Sequence, residues 1–308
     1  LFKLMIKILV KKFINKKSLS RLKSKFKVHY NENLWKNSKE IINIINDYDC
    51  LIVRNKTQVN KKLLNYAKKL KYIGRLGVGL DNIDTKYCLQ KKINVQPATG
   101  MNAQSVAEYV ALCSMSLIKN IPLLHYGTSK GRWPRTTIKS KEIKEKTLGI
   151  IGFGSIGKKV SEYCSSIGLN ILVYDKYLEV KKNRFKFTNL SNLLKNSDII
   201  SLHIPLSNET KNLINKSSFL KMKKKPIVIN TSRGSIINEK ELIDAYDKNL
   251  ISGFALDVFE NEPVQKKFFK KIKHNMNCIL TPHISGVTYE SNVRVSDFIV
   301  DKLTNFFN

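Results

Sequence analysis

The sequence predicts an α/β protein made of two parallel-sheet domains. Three observations carry that reading. Short apolar runs alternate with amphipathic stretches along the chain, the runs after Leu148 are apolar at almost every position, and one of them enters a G-x-G-x-x-G turn that opens a helix. Strands that alternate with helices form a mostly parallel sheet wrapped on both faces. Strands buried on both faces have no polar side to show.

In the first hundred residues, Ile6–Val10, Phe26–Tyr30, Cys50–Val53, Lys71–Gly74 and Ile93–Val95 read as strands. Between them, Leu19–Ser24, Ser38–Asn46 and Lys61–Lys68 place apolar residues such as Ile41, Ile42 and Ile45 at helical spacing. A joining helix over Asn102–Lys119 carries Val106, Val110, Leu117 and Ile121 on one side. The second series begins at Leu148 with the strand LGII, a helix over Ser155–Ile167, and the strands NILVYD, DIISLH, PIVIN, SGFALD and NCILTPH. Beyond them, Thr288–Phe307 has Val295, Ile299, Leu303 and Phe306 at helical spacing and is free to pack back on the first domain. The division expected is residues 1–100 with 285–308 as one domain and 101–284 as the other.

The chain has 308 residues, 42% of them hydrophobic, enough for two cores. No apolar run approaches the ~20 residues of a membrane span. The opening LFKLMIKILVKKF is too short and too often broken by lysine to be the apolar region of a signal peptide. Whether residues 1–4 are an extension before Met5 or the end of a truncation stays open. A net charge of +31 raises the question of nucleic acid. Only eight of the 55 basic residues are arginine, however, and the lysines are spread through every segment beside many Asn and Ile. Nucleic-acid readers concentrate arginine on one face and interleave aromatics, so the charge reads as a solvated, compositionally biased surface that helps attract small anions. The five cysteines, Cys50, Cys88, Cys113, Cys164 and Cys278, form no CxxC pair. They read as free buried thiols of a reducing, cytoplasmic compartment, with no metal site.

Gly152-Phe153-Gly154-Ser155-Ile156-Gly157 follows the strand LGII directly. In that context Gly152 makes the tight turn, Gly154 lets the backbone approach a pyrophosphate, and Gly157 lets the helix pack on the strand. The N–H groups from Ser155 and Ile156 onward face the phosphates. Asp175 ends the next strand 18 residues after Gly157, placed to accept hydrogen bonds from ribose hydroxyls and to repel a 2′-phosphate. The pattern calls for a dinucleotide, with NAD favoured over NADP; Lys176 beside Asp175 works against that preference.

RLGVGLDNID (Arg75–Asp84), SVAEYV (Ser105–Val110), GFGSIG, NTSRGSIINEKEL (Asn230–Leu242), ALDVFENEP (Ala255–Pro263) and TPHISG (Thr281–Gly286) stand in one order along nearly the whole chain. With these motifs the sequence resembles the D-isomer-specific 2-hydroxyacid dehydrogenases. The resemblance implies a flavodoxin-like domain beside a dinucleotide-binding domain, both Rossmann-like, with the active site in the cleft between them, NAD as cofactor, and a homodimer. It also implies catalytic roles for Arg233, Glu262 and His283. The chemistry suits those residue types. A guanidinium fork matches a substrate carboxylate, an imidazole carries the proton of the C2 hydroxyl near neutral pH, and a carboxylate orients that imidazole and favours its charged form. By the same resemblance Asp257 faces the nicotinamide carboxamide, and Thr231 and Gly286 line the reactive end of the cofactor. Arg54, Gly77, Val78, Gly79 and Arg135 approach the substrate. His29, His125 and His274 read as structural or exposed, as does His203 despite its place at a strand end beside the cofactor.

Several segments resemble the branch acting on three-carbon acids with a second anion, 3-phosphoglycerate or sulfolactate dehydrogenases. Arg54 and Arg135 are the candidates to hold that anion, and the residues do not separate phosphate from sulfonate. The alternative is an NAD(H)-sensing binding protein resembling corepressors of the same fold.

Overall fold

A computed structural model describes residues 6–11, 13–178, 184–264 and 276–308, together with 268, 270 and 272. The chain forms two units, Leu1–Asn102 with Thr288–Asn308, and Ala103–Val287.

The first unit holds five strands: β1 (Lys7–Val10), β2 (Lys27–Tyr30), β3 (Cys50–Val53), β4 (Tyr72–Arg75) and β5 (Asn94–Pro97). They lie in the order β2-β1-β3-β4-β5, all parallel, which is the doubly wound flavodoxin-like order. Helices α1 (Lys16–Lys23), α2 (Ser38–Ile44), α3 (Lys61–Tyr66) and α4 (Thr85–Gln90) connect them. The second unit opens with α5 (Ala103–Ile118) and α6 (Ile121–Ser129). Then come β6 (Thr147–Ile151), α7 (Ser155–Ser166), β7 (Asn170–Tyr174), β8 (Lys186–Phe187), α8 (Leu190–Asn196), β9 (Ile199–Leu202), α9 (Lys216–Lys221), β10 (Ile227–Asn230), α10 (Glu239–Asp247), β11 (Gly253–Leu256) and β12 (Cys278–Leu280). The sheet order β12-β11-β10-β9-β6-β7-β8 reverses direction between β6 and β9, the topological switch point at which such sheets bind dinucleotides.

The final helix, α11 (Tyr289–Phe307), belongs to the first unit. Its Val295, Ile299 and Leu303 are buried with Ile8, Val10, Ile52 and Tyr72. Gly74 makes that approach possible, since a methyl group there would sit 2.7 Å from Ile299 Cγ2. Ile121 does not continue the α5 stripe. It begins α6 after Asn120 takes a left-handed conformation, and it is half exposed.

The asparagine richness has local work to do. Asn15, Asn37, Asn60, Asn189, Asn215 and Asn238 each cap a helix, the side chain accepting a backbone N–H of the first turn. All five cysteines are unpaired, and Cys278 is only half buried. No helix among the described residues is long and apolar enough to cross a membrane.

Lys11, just after β1, has no exposed surface, and its Nζ is buried without a hydrogen-bond partner. Burial lowers its pKa to about 7. Lysine binds its proton far more weakly here than in the unfolded chain, so the stability cost is complete below pH 7 and fades between pH 7 and 10.5. Lys11→Met should therefore raise the thermal midpoint, by more at pH 6 than at pH 9, with roughly 3–5 kcal/mol at stake at the acid end. Equal gains at both pH values, or none, would count against an uncompensated buried amine.

Candidate active site

The glycine turn has the three properties its sequence called for. Gly152 has φ +94°, and a Cβ there would lie 2.5 Å from the His203 carbonyl oxygen. A Cβ on Gly157 would meet the Gly152 oxygen at 2.0 Å, so only hydrogen lets α7 sit against the turn. At Gly154 a Cβ would meet nothing within 4 Å. That open face at the start of α7, with the first N–H groups of Ser155 and Ile156 beside it, fits a pyrophosphate. Asp175 follows β7 directly, and its Oδ2 accepts the Phe153 N–H at 2.7 Å while Oδ1 accepts that of Tyr177 at 2.9 Å. The acid thus ties itself to the turn and keeps further lone pairs unused by these two bonds. Thr231, after β10, has a buried Oγ1 with no hydrogen-bond partner, as suits a residue beside a ligand.

Arg233, Glu262 and His283 come from three loops at the carboxyl ends of β10, β11 and β12. His283 Nδ1 lies 2.8 Å from Glu262 Oε2. Both side chains are somewhat over one-third exposed. Burial alone would raise the Glu262 carboxyl, but the hydrogen bond and charge of His283, the Phe259 N–H and the charge of Arg233 outweigh it and hold the group below its ordinary range. Glu262 is therefore anionic at neutral pH. It accepts the proton of Nδ1 and leaves Nε2 as the nitrogen free to exchange a proton. Arg233 Nη1 donates to the Ser232 carbonyl at 2.6 Å, and the turn itself is fixed by Asn230, which accepts Ser232 N–H at 3.0 Å and donates to the Arg233 carbonyl at 2.9 Å. Gly234 completes the turn. A Cβ there would lie 1.8 Å from the Phe259 carbonyl carbon, so the Arg233 loop rests directly on the backbone that leads to Glu262.

Asp257, expected to face the nicotinamide carboxamide, has no exposed surface. Oδ1 accepts from Thr281 Oγ1 at 2.6 Å and from Ile284 N–H at 2.7 Å, and Oδ2 accepts Ser285 N–H at 2.8 Å. It anchors the loop that carries His283, and Gly286 lies in the turn that follows. His203 is held by Ser201 Oγ at 3.0 Å from Nε2, and burial lowers its pKa to about 3, so it stays neutral. His29 and His125 are exposed, and His274 lies outside the described residues. Among the described residues no group of His, Cys, Asp and Glu could hold a metal ion.

In the first unit, Arg54 follows β3 and its Nη2 donates to Asn292 Oδ1 at 2.6 Å. Burial makes its charge more costly than that of a surface arginine. The Gly77–Val78–Gly79 loop is braced by Arg75, whose Nε donates to the Gly79 carbonyl at 3.0 Å and Nη1 to that of Leu76 at 2.8 Å. Arg135 of the second unit is exposed in the segment after α6, and the structure gives it no hydrogen bond to the Arg233, Glu262 and His283 group. Sequence reasoning did not single out Ser232, Gly234 or Thr281, although all three lie inside the quoted motifs. The contacts of Ser232 and Thr281 depend on side-chain direction and that of Gly234 on how two loops pack, neither of which spacing discloses.

Residues 111–285 match the NAD-binding domain of the D-isomer-specific 2-hydroxyacid dehydrogenases. Hydroxypyruvate reductase of Thermotoga maritima is 36% identical over 264 residues, 86% of each chain. (S)-sulfolactate dehydrogenase of Chromohalobacter salexigens is 34% identical over 300 residues, 96% of each chain. D-3-phosphoglycerate dehydrogenase of Synechocystis is also 34% identical, over 302 residues, and the chain spans 54% of its length. Among solved structures, D-lactate dehydrogenase of Aquifex aeolicus in complex with NAD and lactic acid superposes with a TM-score of 0.83 at 28% identity, covering 98% of this chain and 95% of that one.

Proposed function

Because the chain belongs to the family of D-isomer-specific 2-hydroxyacid dehydrogenases, we propose that it interconverts a small 2-hydroxy acid and its 2-keto acid, with Arg233, Glu262 and His283 as the catalytic residues. The observation that carries the proposal is the 2.8 Å bond between His283 and Glu262 beside the Arg233 charge. When bound, NAD supplies the hydride acceptor and donor. The protein supplies the rest. Arg233 clamps the carboxylate and aligns C2. His283 Nε2 takes the hydroxyl proton during oxidation and returns it during reduction. Glu262 fixes the ring and balances its positive charge. The nucleotide is held by Gly152, Gly154, Ser155, Ile156 and Gly157, by Asp175, and by Thr231 and Gly286 at the reactive end.

NAD is the preferred nucleotide in this proposal, because the Asp175 carboxylate repels a 2′-phosphate. Asp175→Ala should weaken NAD binding and narrow the gap to NADP. Equal use of both by the unaltered enzyme would sink the assignment.

The substrate proposed is a three-carbon acid with a second anion, similar to 3-phosphoglycerate or sulfolactate, and Arg54 is the residue assigned to that anion. Its support is a partly buried guanidinium at the carboxyl end of β3, where parallel sheets gather ligands. Turnover with sulfolactate, 3-phosphoglycerate, glycerate and lactate side by side tests the reading. Arg54→Ala should cost about 1.5–3 kcal/mol with the dianions, the range for hydrogen bonds to charged groups, and little with lactate. Equal losses across the panel would leave Arg54 a structural role. Turnover of none of them, with NADH still bound, would favour a sensing protein. A second copy of the chain is the proposed partner. Leu112, Met115, Ile121 and Trp133 expose apolar surface in the second unit, and a monomer in solution would refute it.

A further inference from the structure

His283 has a left-handed backbone, φ +58°, which side-chain-bearing residues adopt only when their surroundings impose it. The surroundings are a chain of side-chain hydrogen bonds that starts on a different element. Thr281 Oγ1 donates to Asp257 Oδ1 at 2.6 Å, and the Tyr109 hydroxyl lies 2.6 Å from the same Thr281 oxygen. A threonine hydroxyl has one proton. With that proton committed to Asp257, Thr281 can only accept from tyrosine, so Tyr109 donates. The carboxylate so held then fixes the N–H groups of Ile284 and Ser285, and the Asp257 carbonyl accepts the His283 N–H at 2.8 Å.

We infer that Tyr109 and Thr281 are positioning residues for His283, transmitting the rigidity of helix α5 through Asp257 to the strained residue that carries the proton. The inference rests on the reading of His283 as proton carrier. Tyr109 is well placed to act as a fixed point. It stands midway along a 16-residue helix whose Val106, Val110, Ala111 and Leu117 are in the core. Burial also raises its phenol far above the ordinary value, so it remains a donor at any working pH. The same network explains why Asp257 is enclosed: both carboxylate oxygens are occupied in shaping the loop.

Three variants test this: Thr281→Val, which keeps the shape and loses the hydroxyl, Thr281→Ser, which keeps the hydroxyl, and Tyr109→Phe. Turnover and KM are measured on the whole enzyme with its best hydroxy acid, NADH affinity by fluorescence titration. Misplacing a catalytic group by about 1 Å costs on the order of 10²-fold. Thr281→Val should therefore lower kcat by roughly 10–100-fold with NADH affinity within about threefold, and Thr281→Ser should restore most of the loss. Tyr109→Phe should lower kcat less, by about 3–10-fold. If Thr281→Val keeps kcat within about twofold while His283→Ala is crippled, the positioning role is overturned and the proton-carrier reading stands. A Thr281→Val loss confined to NADH affinity also overturns it, since the residue would then serve the cofactor. If His283→Ala itself turns over normally, the reading falls and the positioning role with it.

Discussion

His283→Ala is expected to reduce turnover by roughly 10²–10⁴-fold, the usual contribution of a positioned general acid–base, while NADH binding stays nearly intact. The separation follows from where the groups lie. The glycine turn, Asp175 and the open face at Gly154 sit at the ends of β6 and β7, whereas His283 stands after β12 at the far side of the sheet order. Glu262→Gln should act more mildly and change the pH dependence. Glu262 is held below the ordinary carboxylate range and is anionic through the neutral region. Replacing it with an uncharged amide removes that negative charge from beside the ring, so the pH profile of turnover should change. The stability sign follows from the same depressed pKa. What the contacts of the Glu262 carboxylate contribute is present above the carboxyl's unfolded value and is lost as pH falls through the folded one. Near-normal turnover of His283→Ala, or a pH profile untouched by Glu262→Gln, would remove the proton carrier or its partner from the scheme.

The strands were legible because β3, β9, β10 and β11 are buried at every position, so composition alone marks them. Their ends were less so. The expected Lys71–Gly74 and Ile93–Val95 begin one residue later in the structure, as Tyr72–Arg75 and Asn94–Pro97, because register is set by the neighbouring strand. The two-residue edge strand β8 and the helix α6 left no readable pattern: β8 is too short for periodicity, and α6 contains Pro122 and Gly127 and buries little. The glycine turn could be read residue by residue, since Gly152 and Gly157 answer steric demands and Gly154 leaves an open face. The His283–Glu262 pair could not be read that way. Twenty-one positions separate the two, and loops bring them together, so only the ordered motifs and their family resemblance pointed to the pair. The motif around Asp257 was legible in the same way, whereas the hydrogen bonds of its carboxylate to backbone N–H groups 27 and 28 residues away were not.

The second large effect is expected from a residue with no side chain to contribute. Gly234→Ala would place a methyl group 1.8 Å from the Phe259 carbonyl carbon and 2.2 Å from both the Phe259 oxygen and the Glu260 nitrogen. All three are backbone atoms, so no rotamer change relieves the clash, and the two segments must separate. One segment carries Arg233 and the other leads to Glu262, whose Oε1 is fixed by the Phe259 N–H at 3.2 Å. Overpacking of this kind costs about 1–3 kcal/mol or more. A shift near 1 Å at two groups proposed as catalytic should lower kcat/KM by at least ~10²-fold. Gly154→Ala makes the contrasting case. Its methyl group would enter open space, so the fold should keep its thermal midpoint while the pyrophosphate loses its approach and NAD binds more weakly. The two alanine variants should thus fail in opposite ways, one in stability and turnover with the nucleotide retained, the other in nucleotide affinity alone. Full activity in Gly234→Ala would mean that the 232–236 turn yields freely, and that the contact between the Arg233 and Glu262 loops does not hold the site in register.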